Sequence, residues 1–211
     1  MEIVIRNERP SDYRRVEELT RDAFWNLHSP GCDEHYLAHL LRTHADFIPQ
    51  LDFVAETDGV VTGNIMYTKS WIKGPTGSVW DTITFGPLSV SPGQQGKGIG
   101  SALVRHSLAR AKELGCAIVW IYGNPAYYSR FGFRSSKEWG ITNAEGKYPT
   151  ALQLMELKAG ALSGVSGYAA ESEAFEMDAE ASARYDALFP PKVKEETPSQ
   201  RDFRAIAGTY L

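Results

Sequence analysis

Pro87-Leu-Ser-Val-Ser-Pro-Gly-Gln-Gln-Gly-Lys-Gly-Ile-Gly100 is the stretch on which the reading of this chain turns. A run rich in strand formers, Val79 to Val90, leads into it and stops at Ser91-Pro92-Gly93, residues that favour a turn. Gly96, Gly98 and Gly100 then alternate with Lys97 and Ile99, and a helical pattern follows. Over Gly98 to Leu114, the residues Leu103, Val104, Ser107, Leu108, Ala111 and Leu114 fall on one half of a helical wheel, with Ser101, Arg105, Lys112 and Glu113 opposite. Gly115 stands where a left-handed residue closes such a helix. Strand, glycine loop and helix start bring free N–H groups and the positive end of a helix dipole to one place. Glycine lets the backbone approach an anion closely, so the pattern is one that holds phosphate.

Spacing separates the kinds of phosphate loop. A P-loop requires Lys followed by Ser or Thr, and Lys97 is followed by Gly98. The dinucleotide fingerprint requires Gly-x-Gly-x-x-Gly and an acidic residue ending the next strand, whereas this chain reads Gly96-x-Gly98-x-Gly100 and the next strand ends Ile121-Tyr-Gly-Asn124. A nucleotide- or NAD-binding reading therefore rests on glycine content alone. The pattern that is met is Gln/Arg-x-x-Gly-x-Gly/Ala, through Gln95, Gly98 and Gly100. After an intervening helix and strand comes Asn124-Pro-Ala-Tyr-Tyr-Ser-Arg-Phe-Gly-Phe133, an Asn at a strand end and a Tyr four residues before Gly-Phe. The two signatures, in this order, resemble those of the GNAT superfamily of N-acyltransferases. The resemblance covers Val54 to Phe133 well and the flanks more loosely.

The resemblance implies a fold and a site. The fold is mixed α/β, a central, mixed but mostly antiparallel twisted sheet of about six to seven strands flanked by helices. The co-substrate is acetyl-CoA and the acceptor a primary amine on a small molecule or protein, with direct transfer through a tetrahedral intermediate. By the same resemblance the main chain of Leu88, Ser89 and Val90 holds the pantetheine arm, and the Val90 N–H is the oxyanion donor. The N–H groups of Gln95, Gly96, Lys97, Gly98, Ile99, Gly100 and Ser101 would receive the pyrophosphate. Asn124 bonds the pantetheine arm or an ordered water, and Tyr128 is the general acid. A phenol with a pKa of about 10 stays protonated at neutral pH and can protonate a departing thiolate.

Each assignment has a plainer alternative. Leu88 and Val90 side chains also suit the core, Tyr128 could only pack or bond the sulfur, and Tyr127, Phe131 and Phe133 read as packing. For the general base the sequence offers Glu34, Glu56 and Asp81, each equally readable as a solvated surface charge. His35 and His39 share a helix face and are expected at its surface; with His28 and His44 they do not complete a metal site. Cys32 lacks a motif that would activate it. A non-catalytic acyl-CoA-binding sensor on the same scaffold is the rival reading.

Composition is in keeping with this. The 211 residues, 43% hydrophobic and 23% charged, suit one soluble domain with an appendage. A formal net charge of −4 argues against nucleic acid as the main partner. No apolar run is long enough for a membrane span, and the opening residues lack a signal-peptide pattern, so no membrane role and a cytoplasmic location are expected. Cys32 and Cys116 are too few for a disulfide scaffold. Monomer and homodimer are both compatible with the sequence.

In chain order, a strand is expected at Glu2 to Arg6 and helices up to about Phe24 and over Glu34 to Ala45, the latter with Tyr36, Leu37, Leu40 and Leu41 inward. Strands follow at 52–56, 60–71, 79–90, 117–122 and 151–157, with Asp58-Gly59 a hairpin turn and Pro125 starting a short helix. Residues 1–158 then form the GNAT domain. Residues 159–211 are a C-terminal extension that packs on the core or is partly disordered, with a helix over 178–188.

Overall fold

A computed structural model describes residues 2–201 and 209–210. The chain enters as β1 (Ile3–Asn7), forms helices α1 (Tyr13–Phe24) and α2 (Glu34–Leu41), and lays down the hairpins β2 (Phe53–Thr57), β3 (Val60–Lys73) and β4 (Val79–Val90). Helix α3 (Ile99–Glu113), β5 (Ile118–Tyr122) and the short α4 (Pro125–Tyr128) follow. The remaining elements are β6 (Arg134–Ser135), β7 (Ile141–Thr142), β8 (Leu152–Glu156), β9 (Gly167–Ala170) and α5 (Ala179–Asp186).

Seven strands lie in the order β1-β2-β3-β4-β5-β8-β6, and β9 attaches to the far end of β3 with β7 beside it. All pairings are antiparallel except β4–β5 and β7–β9, which are parallel. The β4–β5 exception follows from the connection: α3 crosses over between them, as a parallel pair requires. Sheet and helices thus match the mixed α/β expectation.

Strand alternation sends successive side chains to opposite faces. Phe53, Ile65, Tyr67 and Phe85 join Ile99, Leu103, Val104 and Leu108 of α3 in one core. Their neighbours Val54 and Val61 meet Val16 and Leu19 of α1, and Met66 meets Leu37, Ala38 and Leu41 of α2. Helix α3 approaches closely because β3 carries Gly63, where an added Cβ would lie 3.0 Å from both Ile99 Cγ2 and Leu103 Cδ1. Ser107, the polar residue on its inner face, is bonded at 2.9 Å to the buried Tyr67 hydroxyl. Truncating the fully buried Leu103 to alanine would cost about 2–5 kcal/mol.

Several local expectations are corrected. Helix α2 ends at Leu41, not Ala45, because Thr43 and His44 donate their N–H groups to Leu40 and Leu41 and tighten the chain into turns. Leu114 lies past the end of α3 and is 41% exposed. Gly167–Ala170, where no strand is expected from sequence, forms β9 by pairing with Trp71–Lys73. The sheet therefore draws on residues beyond Lys158.

Candidate active site

β4 and β5 hold together only at Ile83–Val119 and Thr84–Trp120. Beyond that point they separate. The register against β3 runs Tyr67–Phe85 and then Ile65–Leu88, so Gly86 and Pro87 together oppose Met66. This bulge bends β4, and Pro87 has no N–H to give a neighbour.

Past the bulge, the direction of the backbone can be read from the ladder. Ser91 N–H donates to Thr62 O at 2.9 Å, and Gly63 pairs with Val90. Bonded and non-bonded pairs alternate in an antiparallel ladder. Val90 and, two residues back, Leu88 therefore turn their N–H and C=O groups away from β3, into the gap facing β5. Val90 O accepts from Gln95 Nε2 at 3.1 Å, which ties the loop to the strand end. Ser89 has the opposite parity; it is fully buried, and its Oγ accepts from Thr20 Oγ1 at 2.9 Å.

The loop after Val90 ends in Gly98, whose φ of +86° caps α3 in the left-handed region, and Gly96 has a φ of +75°. The first bond of α3 runs from Ala102 N–H to Gly98 O at 2.9 Å. The N–H groups of Ile99, Gly100 and Ser101 precede it, at the positive end of the helix. Lys97 folds back so that Nζ donates to Gly93 O at 3.0 Å and Gln94 Oε1 at 2.9 Å. The Ile99 side chain is buried in the core, so only its main chain serves the loop.

The gap opens into a cleft of about 920 Å³. Of the residues singled out from sequence, Leu88, Val90, Gln95, Gly100, Asn124, Tyr128 and Glu34 line it. Asn124 Oδ1 caps α4 by accepting the Ala126 N–H at 3.0 Å. Tyr128 is set among rings, with centroids 5.8 Å from Phe85, 5.8 Å from Phe133 and 4.9 Å from Tyr127. Burial raises its pKa well above the ordinary phenol value, so it holds its proton throughout the neutral range. Glu56 lies outside the cleft wall, paired with Arg6, whose Nε donates to Oε1 at 2.9 Å. Asp81 is exposed at the other end of β4, roughly 30 Å along the strand from Val90.

His35, expected at a helix surface, is fully buried. Its Nδ1 is 3.6 Å from Cys32 Sγ and its Nε2 is 3.2 Å from Asp186 Oδ1, while Phe189 packs edge-on with centroids 5.1 Å apart. The covering residues belong to α5 and the chain after it. Burial lowers the His35 pKa and raises that of the Cys32 thiol, and Cys32 is outside the cleft wall. A thiol held protonated is not a nucleophile, so the Cys–His–Asp grouping is structural.

The C-terminal residues also shape the cleft. Arg21 Nε donates to Asp186 Oδ1 at 2.6 Å, Trp25 Nε1 to Val193 O at 2.8 Å, and Ser199 Oγ to Leu27 O at 3.0 Å. Ser199 and Tyr210 line the cleft beside Phe24, Leu27 and His28. From sequence, Phe189 and Tyr210 suggest that the tail docks over the acceptor pocket or on a second subunit, but no local pattern singles out Ser199 or joins the tail to the end of α1.

Comparisons with known proteins agree with this geometry. Residues 15–133 match the model of the acetyltransferase (GNAT) family. N-acetyltransferase YhbS of Escherichia coli (strain K12) is 31% identical over 174 residues, covering 82% of this chain and 98% of that protein. N-acetyltransferase YjhQ of the same organism is 35% identical over 85 residues, 40% of this chain and 46% of that protein, so this chain spans about half of it. The crystal structure of YhbS in complex with CoA superimposes with a TM-score of 0.73 at 29% identity, covering 84% of this chain and 93% of that one. A GNAT family acetyltransferase from Brucella melitensis, in complex with acetyl-CoA, gives 0.66 at 28% identity over 82% and 98%. The chain belongs to the GNAT family and is an acyl-CoA-dependent N-acetyltransferase.

Proposed function

We propose that the chain transfers the acetyl group of acetyl-CoA directly to a primary amine of a small molecule or protein, bound in the cleft between β4 and β5. The observation that carries this is the pair of main-chain edges at Leu88 and Val90 that face away from β3, opening beside the glycine loop at the start of α3. The crystal complexes of YhbS with CoA and of the Brucella protein with acetyl-CoA support the choice of co-substrate.

The residues present fit such a molecule. The loop amides from Gln95 to Ser101 would receive the pyrophosphate, and Leu88, Val90 and Asn124 the pantetheine arm. When bound, acetyl-CoA supplies an activated acyl thioester. The Val90 N–H would donate to the carbonyl oxygen as it gains charge, a contribution of about 10²–10³ in rate for one such donor. Tyr128, kept protonated by burial, would give its proton to the departing sulfur, and general acids of this kind contribute about 10²–10⁴.

On this reading residues 1–158 carry the cofactor site, and the extension 159–211 finishes the acceptor side through Ser199 and Tyr210. The two unbridged cysteines and the intracellular origin of acetyl-CoA favour a cytosolic setting. A cleft whose described lining holds no lysine or arginine favours an amine over nucleic acid as partner, and a monomer or homodimer suffices. No described helix is long and apolar enough to cross a membrane.

The test is protection against heating by acetyl-CoA, ATP or NAD, together with thiol release from acetyl-CoA in the presence of amines. Protection by acetyl-CoA alone, with amine-dependent release, is expected. Protection without release from any amine would favour a sensor, and preferential protection by ATP or NAD would overturn the site assignment.

A further inference from the structure

The cleft has one formally charged residue among its described lining. That residue is Glu34, in the first turn of α2. Its Oε2 accepts the Asp33 N–H at 3.1 Å, and its Oε1 lies 3.4 Å from Nδ1 of His28, which also lines the cleft. The His28 ring stands edge-on to Phe24, centroids 5.6 Å apart. Leu37, one helical turn from Glu34, and Leu27, beside His28, complete an apolar surround within the same cleft. Asp33 is itself bonded to Ser182 of α5, and the Lys194 side chain crosses Gly31, so the 28–34 segment is held from outside.

An ammonium group entering this cleft finds a single carboxylate of opposite charge. A carboxylate beside an imidazole is a combination that accepts a proton and passes it on. The other titratable residues in the described cleft lining, Tyr122, Tyr127, Tyr128 and Tyr210, carry phenols and not carboxylates or imidazoles.

Resting on the acetyltransferase reading, we propose that the Glu34–His28 pair receives the acceptor's ammonium and takes its proton, and that the acceptor is an amine with an apolar body and no carboxylate next to its nitrogen. Glu34 Oε1 takes one proton, which His28 Nδ1 shares before it leaves to water. The electron pair freed on nitrogen forms the C–N bond to the acetyl carbon as the C–S bond breaks. Tyr128 gives its proton to the departing sulfur, and the second proton shed by the nitrogen restores the phenol through water. A carboxylate next to the nitrogen would face Glu34, and the repulsion between like charges so juxtaposed disfavours free amino acids.

The experiment uses the full chain with acetyl-CoA and three matched acceptors. These are 2-phenylethylamine, phenylalanine (the same amine plus a carboxylate), and the β,β-difluoro derivative of 2-phenylethylamine, whose nitrogen is largely unprotonated at neutral pH. Wild type is expected to favour 2-phenylethylamine over phenylalanine by roughly tenfold or more in kcat/KM. Glu34→Gln should lose about 10²-fold on 2-phenylethylamine, much less on the difluoro amine, and narrow the gap to phenylalanine. Glu34→Asp, which keeps the charge, should recover part of the loss. Acetyl-CoA should protect all variants from heat equally.

A Glu34→Gln enzyme as active as wild type on 2-phenylethylamine overturns the proposal. So does a wild type that prefers phenylalanine, or one that turns over none of the three while acetyl-CoA still protects it. Loss of that protection in wild type would instead overturn the acetyltransferase reading beneath it.

Discussion

Gly123 stands between β5 and α4, and its replacement by alanine tests whether Tyr128 is held where the chemistry needs it. A Cβ built on Gly123 meets Tyr128 Cε2 at 2.3 Å and Cδ2 at 2.6 Å, with Ile121 Cδ1 at 3.3 Å. Carbon atoms in contact settle at about 3.5–4.0 Å, so the ring must retreat by roughly 1 Å or more. It has little room, since Phe85, Tyr127 and Phe133 surround it. A misplacement of about 1 Å can cost about 10²-fold in rate. The overpacking itself should cost about 1–3 kcal/mol, at roughly 2–4 °C in Tm per kcal/mol for a chain this long. The assay is kcat at saturating acetyl-CoA, with Tm measured on the same preparations. On a Tyr128→Phe background the same glycine change should cost less than about threefold further, because the proton donor has already gone. Wild-type kcat in Gly123→Ala, or fully additive losses in the double variant, would refute the reasoning.

Other predictions follow from single features. Gly98→Ala places a side chain on a residue with φ of +86° and open space around it, so the penalty is backbone strain of about 1–2 kcal/mol. It should weaken acetyl-CoA binding by about tenfold, measured by titration calorimetry. Asp52 is buried beside Glu8, and desolvation pushes its pKa up to about 9. Between the ordinary carboxylate range and about 9 the folded state then holds one more proton than the unfolded chain, so stability falls as pH rises through that window. Asp52→Asn should flatten this dependence in thermal melts at pH 5, 7 and 9, and an unchanged slope would count against it. Asp186→Ala leaves the buried Arg21 guanidinium without its carboxylate. It should destabilise the chain by about 3–5 kcal/mol in urea unfolding, and a loss within experimental error would show that the tail does not anchor α1.

Legibility from sequence followed the range of the interactions. Helix α3 and its glycines were readable because helical periodicity and left-handed residues act within a few positions, and Val79–Val90 was readable from its β-forming run. Tyr128 and Val90 were singled out through the resemblance that the two motifs carry. His35 was misplaced because what buries it, Asp186 and Phe189, lies about 150 residues further on, and a polar residue on a short helix reads as exposed until that cover is known. Strand β9 was hidden because four residues carry little pattern and gain their order from β3. His28 stood in a turn whose only local mark was Ser29-Pro-Gly31, and its approach to Glu34 depends on how that turn folds.

The central claim, that this cleft transfers an acetyl group with Tyr128 as proton donor, is tested most directly by one paired measurement. Acetyl-CoA affinity and amine-dependent thiol release would be determined side by side for wild type and Tyr128→Phe. The account predicts nearly equal affinity and a fall in kcat of about 10²-fold or more. Equal turnover in the two proteins would contradict the role given to Tyr128, and amine-independent or absent release in wild type would contradict the transfer itself.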